Sequence, residues 1–258
     1  MLVRIFDIPI LSENNKFLCA PETDSDYLKL YYGDQKSFTE DLTSFFKYLS
    51  LEEQKRSKRF LKLSDERTYV ISHALLNQKI SEVLRTDFRN IKIRFFDRDT
   101  KPFVENEKLD FNLSHSSEYF AFAISNRSNS FVGVDIEKIR ENLEIEPIIS
   151  NYFHKNEASY ILSNKDQILH RQRFYRIWTR KEAFLKMLGI GLSENLSNLD
   201  LSATESEFNT EISGMNESDL TSEIFIYSFL LHKNLAASVA INHPVNLLSE
   251  QVKDFTGV

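Results

Sequence analysis

The chain has 258 residues and a single cysteine, Cys19, so it can form no intramolecular disulfide and no cysteine-based zinc site. That scarcity fits a reducing compartment. Six glycines and no GxGxxG or P-loop spacing exclude a glycine-rich nucleotide loop, and five prolines leave no proline-rich linker. No apolar run reaches membrane-spanning length. The opening stretch "MLVRIFDIPILSENNKF" is too interrupted for a signal peptide, so the expectation is a cytoplasmic protein with no membrane partner. The net charge of −6 gives no global basic field for nucleic acid. Present instead are 41% hydrophobic and 27% charged residues, the balance of an ordinary globular protein, with 21 Phe and 10 Tyr against one Trp. Two local basic clusters stand out in this acidic chain: "QKRSKRFLK" at 54–62 and "RQRFYRIWTRK" at 171–181. Each is either a solvated helix face or a seat for a small polyanion.

Residues 38–85 read as helical, with Ser50 as a cap, Glu52 and Glu53 in a first turn, and a longer helix from Ser64 to Leu84. Four short aromatic and β-branched runs follow at 91–97, 111–116, 119–125 and 130–138, with "NRSN" (126–129) as a hairpin tip. Helices are expected near 155–163 and from Arg171 to Leu188, the second ending at Gly189. Strands at 223–231 and 234–242 turn at His232-Lys233, and the last ten residues read as a loose tail. Helices and strands without strict alternation predict an α+β fold with mostly antiparallel sheets. The endings "YFAFAISN" and "LAASVAIN" hint at two similar halves meeting near residue 131.

Three segments carry chemistry. In "VGVDIEK" the two-residue strand period puts Asp135 and Glu137 on one face and Val134 and Ile136 on the other. Two adjacent carboxylates repel unless something positive lies between them. They suit a hard cation such as magnesium, or else form a polar strand face paired with lysines. In "FYRIWTRKEAFLKMLGIGL", Trp178, Glu182 and Lys186 fall at i, i+4 and i+8 on one stripe. A Glu–Lys pair at that spacing either supports an exposed helix or, in so apolar a helix, lines the edge of a buried cleft. In "FNLSHSS", Ser114 and His115 close a strand, as structural residues or as hydrogen-bonding partners of a phosphate.

In this order and spacing, "FNLSHS", "VGVDIEK" and "FYRIWTRKEAFLK" resemble the Sfp-type 4′-phosphopantetheinyl transferases. Gly133, Asp135 and Glu137 match the family's G-[IV]-D-x-E pattern, and Trp178, Lys181, Glu182 and Lys186 match W-x-x-K-E-x-x-x-K. The resemblance spans roughly residues 50 to 245. It implies two similar α/β halves forming a pseudo-dimer: 1–131 with the coenzyme A phosphate contacts, 132–246 with the metal site, and 247–258 as a tail. It further implies that Asp135, Glu137 and Glu182 hold a magnesium ion. Lys186 would neutralise the pyrophosphate of coenzyme A. Ser114, His115, Lys181, Lys101, Arg59 and Arg67 would be further coenzyme contacts. Glu157 falls where the family carries an acidic residue in an F-x-x-x-E segment. Thr100 replaces the glycine of the family's G-K-P turn before Lys101, and the stretch from Arg59 to Arg67 is one residue shorter than the pattern.

The implied reaction is attack by a serine hydroxyl of an apo acyl or peptidyl carrier protein on the β-phosphorus of coenzyme A. It releases 3′,5′-ADP, with Asp135, Glu182 and Lys186 as catalytic residues. Glu182 is the candidate base, directly or through a metal-bound water. A monomer acting on coenzyme A and a carrier protein is expected. Two rivals remain: a metal-dependent nuclease or phosphohydrolase built on Asp135 and Glu182-x-x-x-Lys186, and a homologue that binds coenzyme A or a carrier without chemistry.

Overall fold

The computed structural model describes residues 2–8, 27–95, 101–105, 107–164, 166–190, 194–203, 205–207, 223–232, 234–244 and 246–251. These divide into two compact units, one holding 27–129 with 246–251 and the other holding 2–8 with 130–244.

The N-terminal unit contains strands β2 (Tyr27–Asp34), β3 (Ile93–Phe95), β4 (Pro102–Val104), β5 (Asp110–Ser116), β6 (Tyr119–Ser125) and β11 (Asn246–Gln251). Its helices are α1 (Leu51–Ser57) and α2 (Leu63–Leu84), preceded by a 3₁₀ stretch at Leu42–Tyr48. Helix α1 starts where the sequence puts it. Ser50 Oγ accepts from the Glu53 amide and the Glu53 carboxylate accepts from the Ser50 amide, a reciprocal capping box. Helix α2 ends on Arg85, which takes the left-handed conformation at φ 50°. Between these ends Val70, Ile71, Ala74, Leu75 and Ile80 are buried against Phe111, Phe120 and Phe122 of the sheet. The sheet order is β11-β2-β6-β5, antiparallel except for the parallel β11–β2 pair.

The C-terminal unit contains β1 (Leu2–Ile8), β7 (Val132–Lys138), β8 (Glu205–Glu207), β9 (Glu223–His232) and β10 (Leu235–Ile241). Its helices are α3 (Glu146–Tyr152), α4 (Lys155–Leu162) and α5 (Gln167–Leu188). Asp166 caps α5 by accepting from the Ile168 amide, and Gly189 closes it at φ 69°. The sheet order is β7-β10-β9-β1-β8, with β1–β9 as its parallel pair.

Both units share one plan. A strand leads through helices, the last of 22 residues, to a hairpin whose second strand inserts between the first strand and its own partner. That pattern is β2-β6-β5 in one unit and β7-β10-β9 in the other. The repeat is the α+β pair of like halves expected from the sequence. Each sheet gains one parallel strand from a far terminus: β1 joins β9, and β11 joins β2. A split by chain order therefore misses both termini, and residues 246–251 add a strand where a loose tail was expected. "NRSN" is also not a hairpin tip. Strands β6 and β7 belong to different sheets, and the change of unit falls between Asn129 and Ser130.

Candidate active site

The C-terminal unit brings its acidic and basic residues together through one close approach. A Cβ on Gly133 would lie 2.0 Å from the Ala183 carbonyl oxygen and 2.3 Å from the Met187 amide nitrogen, so only glycine lets α5 lie this near β7. On the same face, two and four residues further along β7, come Asp135 and Glu137. Lys186 Nζ donates to Asp135 Oδ1 at 2.7 Å. Tyr175, further back on α5, feels the charge of Glu137, and its hydroxyl accepts from the Arg140 amide at 3.2 Å. The helix and the strand run antiparallel, and the carboxylate pair points at the helix.

From Ile177 to Leu188 every residue of α5 is buried except Trp178, Glu182 and Lys186, which are half-buried. The predicted i, i+4, i+8 stripe is thus the one line of that stretch open to solvent. Trp178 anchors one end in a ring stack with Phe153 and Phe174. Glu182 lies in the middle, and its carboxyl is pushed up to about 7. Burial is the main cause, the Asp135 charge follows, and Glu137 adds to it, while Lys186 opposes the shift. Three carboxylates and one ammonium therefore act on one another at one place. Among the described residues no three His, Cys, Asp or Glu side chains already close around a single point.

Lys181 does something different from the phosphate contact expected of it. Its ammonium is fully buried and gives its three protons to Glu157 Oε2 (2.9 Å), the Leu196 carbonyl (2.8 Å) and the Leu199 carbonyl (2.6 Å). Glu157 in turn accepts from the Leu201 amide at 2.7 Å and caps α4 through the His154 amide at 2.8 Å. With every N–H spent, Lys181 is a structural cation that ties α5 to α4 and to the segment 196–201. Spacing alone gave no sign of this, because an inward and an outward lysine share the same motif position.

The other expected contacts lie in the N-terminal unit. His115 is exposed near the end of β5, Ser114 beside it is buried, and the charges of His115 and Arg56 both reach the ring of His73 on α2. Arg59 is exposed just beyond α1. Arg67 donates to the Phe38 carbonyl. Lys101 is largely buried and paired with Asp110. Thr100 and Cys19 lie outside the described residues. A buried group missed by the sequence reading is Arg180, which donates to Ser228 Oγ at 2.9 Å and to the Leu201 carbonyl at 2.6 Å. A serine inside an otherwise apolar strand, at 228 and again at 238, was the available signal.

Comparison with known proteins gives matches over both units. The sequence model described as the 4′-phosphopantetheinyl transferase superfamily matches residues 131–240, and that described as 4′-phosphopantetheinyl transferase, N-terminal, matches residues 36–127. The 4′-phosphopantetheinyl transferase gsp of Aneurinibacillus migulanus is 34% identical over 144 residues, which is 56% of this chain and 57% of that protein. The 4′-phosphopantetheinyl transferase Sfp of Bacillus subtilis is 27% identical over 176 residues, 67% of this chain and 76% of that protein. The human L-aminoadipate-semialdehyde dehydrogenase-phosphopantetheinyl transferase is 27% identical over 160 residues, 58% of this chain and 51% of that protein. Each unit of the fold is thus covered by a matching sequence model, and the chain belongs to the 4′-phosphopantetheinyl transferase superfamily.

Proposed function

We propose that this chain transfers the 4′-phosphopantetheine group of coenzyme A to a serine of an apo acyl or peptidyl carrier protein, releasing 3′,5′-ADP. The observation that carries the reading is the mutual influence of Asp135, Glu137, Glu182 and Lys186 on the face between β7 and α5.

The chemistry of the donor set fits magnesium, since three carboxylates offer only hard oxygen ligands and repel one another without a cation. Asp135, Glu137 and Glu182 would hold the ion. When bound, it supplies charge stabilisation for the pyrophosphate oxygens. The chain's own residues account for the rest. Lys186, half-buried at the end of the stripe, is placed to offset negative charge on the departing phosphate. Asp135 holds the Lys186 ammonium in position. Glu182, in the middle of the half-buried stripe, is the candidate to receive the proton of the serine hydroxyl, directly or through a water. The same reading has the chain act as a monomer in the cytoplasm. Among the described residues no helix is long and apolar enough to cross a membrane.

The test is mass spectrometry of several apo-carrier proteins incubated with the full chain, coenzyme A and magnesium. A gain of one phosphopantetheine on the carrier is expected. Binding of coenzyme A with no carrier modified and no 3′,5′-ADP released would defeat the proposal.

A further inference from the structure

The sheet face beneath α5 is apolar in the row Gly133–Ala240–Ile226, and the row beside it reads Asp135–Ser238–Ser228. Facing residues on paired strands stand roughly 5 Å apart, so Ser238 is the immediate neighbour of Asp135. The two serines join Thr179 and Arg180 of α5 in a network whose members are at most 2% exposed. The fixed donor at one end and the carbonyl acceptor at the other give the network one consistent direction. A guanidinium only donates, so Ser228 Oγ accepts from Arg180 Nε at 2.9 Å. Thr179 gives its proton to the Arg176 carbonyl at 3.0 Å, so at 2.8 Å it accepts from Ser238. With its one proton committed to Thr179, Ser238 accepts from Ser228 at 3.0 Å. The chain therefore runs one way, Arg180 to Ser228 to Ser238 to Thr179 to the Arg176 carbonyl, and Arg180 Nη1 fastens the Leu201 carbonyl.

We propose that Arg180 is a positioning residue for the carboxylate site. Acting through Ser228, Ser238 and Thr179, it fixes the rotation and the sliding of α5 over the Asp135 row, so that Glu182 and Lys186 meet Asp135. The contact at Gly133 sets how near the helix lies, but a contact with bare backbone does little to stop it turning or slipping. The buried guanidinium does, because losing its acceptors leaves a charge in apolar surroundings. A shift of one residue along α5 would break the bonds to Ser228, Ser238 and the Leu201 carbonyl together. Ser238 also points its proton at the helix rather than at Asp135.

The proposal rests on the transferase reading, so its test measures binding as well as turnover. Magnesium-dependent binding of coenzyme A to the full chain would be followed by calorimetry for wild type, Ser228→Ala, Ser238→Ala, Arg180→Met and Arg180→Lys, with thermal unfolding recorded for each. The serine variants are expected to stay folded while the half-saturating magnesium concentration rises about tenfold, the effect usual for removing an outer-shell partner. Arg180→Lys keeps the charge without the fork and is expected to follow Arg180→Met. Should Arg180→Met fail to fold, the serine variants decide. If all folded variants bind with wild-type magnesium dependence, whatever their melting temperatures, the network is interior packing only and the proposal is overturned. Wild-type protein that shows no magnesium-dependent binding of coenzyme A overturns the transferase reading and the proposal with it.

Discussion

Lys186 Nζ stands 2.7 Å from Asp135 Oδ1, joining the last turn of α5 to the middle of β7. The Asp135 side chain is 5% exposed and that of Lys186 30%, so the pair is a buried carboxylate met by an ammonium from the solvent side. Removing the ammonium leaves Asp135, Glu137 and Glu182 with less to offset their repulsion. Lys186→Met is therefore expected to lower the transfer rate about 10²–10³-fold, the usual loss for one charge-stabilising donor. Because Lys186 lies at the surface of the helix, circular dichroism should be unchanged. A Lys186→Met protein with near-normal turnover, read as mass gain on the carrier, would remove Lys186 from the chemistry.

Glu182→Gln tests the middle of the same stripe. The substitution keeps the shape and the half-buried position but removes both the metal-binding charge and the proton acceptor. Transfer is expected to fall at least as far as in Lys186→Met. The variant should melt no lower than wild type, since a carboxyl that burial and two neighbouring acids disfavour is replaced by a neutral amide. A variant that loses stability and retains activity would reverse the assignment.

At Gly133 the prediction concerns packing. An alanine methyl would meet backbone atoms of Ala183 and Met187, and backbone within a 22-residue helix cannot turn aside as a side chain can. Gly133→Ala should cost roughly 1–3 kcal/mol of stability, the range for overpacking a close contact. It should also weaken activity beyond what the loss of folded protein explains, because α5 must lift from the face that carries Asp135. Urea unfolding alongside turnover per folded molecule separates the two effects. Unchanged stability would mean that the helix has room to spare.

The placement of the candidate site residues was legible because they obey two local periods. Asp135 and Glu137 share a face through the two-residue strand repeat, and Trp178, Glu182 and Lys186 share a line through the helical one. The helix itself, expected at 171–188, runs from Gln167 because the Asp166 cap starts it a turn earlier. Contacts between distant stretches were not legible. Strand β1 pairs with β9 across more than 200 residues, and a short run near a terminus carries no mark of its partner. Lys181 belongs to the same class. Its match to the motif predicts a phosphate contact, but the neighbours that use up its protons, Glu157, Leu196 and Leu199, lie 15 to 24 positions away. Arg180 was hidden for the same reason, its acceptors lying at Leu201 and Ser228.

The Glu157–Lys181 pair yields a stability prediction of a different kind. Both side chains are fully buried. Breaking such a pair from one side leaves an uncompensated charge and costs roughly 3–5 kcal/mol, whereas replacing both partners with apolar groups can be near neutral. Lys181→Met alone should therefore be strongly destabilising. Glu157→Met with Lys181→Met should recover part of the loss, although the Leu201 and His154 amides then lack their acceptor. Urea midpoints for the two single variants and the double variant give the coupling directly. Strict additivity would show that the pair is not energetically linked.

His73 gives the clearest pH dependence. Its Nδ1–H donates to the Tyr69 carbonyl at 2.9 Å, and its ring lies 3.9 Å from the Tyr69 ring centroid. Burial is the largest influence and lowers the imidazole to about 3, the bond to the Tyr69 carbonyl opposes it, and the charges of His115 and Arg56 lower it further. The folded ring thus stays neutral while the unfolded one protonates below the ordinary value near 6.5. The unfolded state then binds more protons, so stability should fall as the pH drops from about 6.5 toward 3, and be complete above that window. Allowing for partial exposure of the ring, the loss from this group by pH 4 is about 2–3 kcal/mol. His73→Phe keeps the stack on Tyr69 and has no proton to gain, so its unfolding free energy should be flatter over the same window than that of wild type. Parallel curves for the two proteins would show that some other group governs the acid limb.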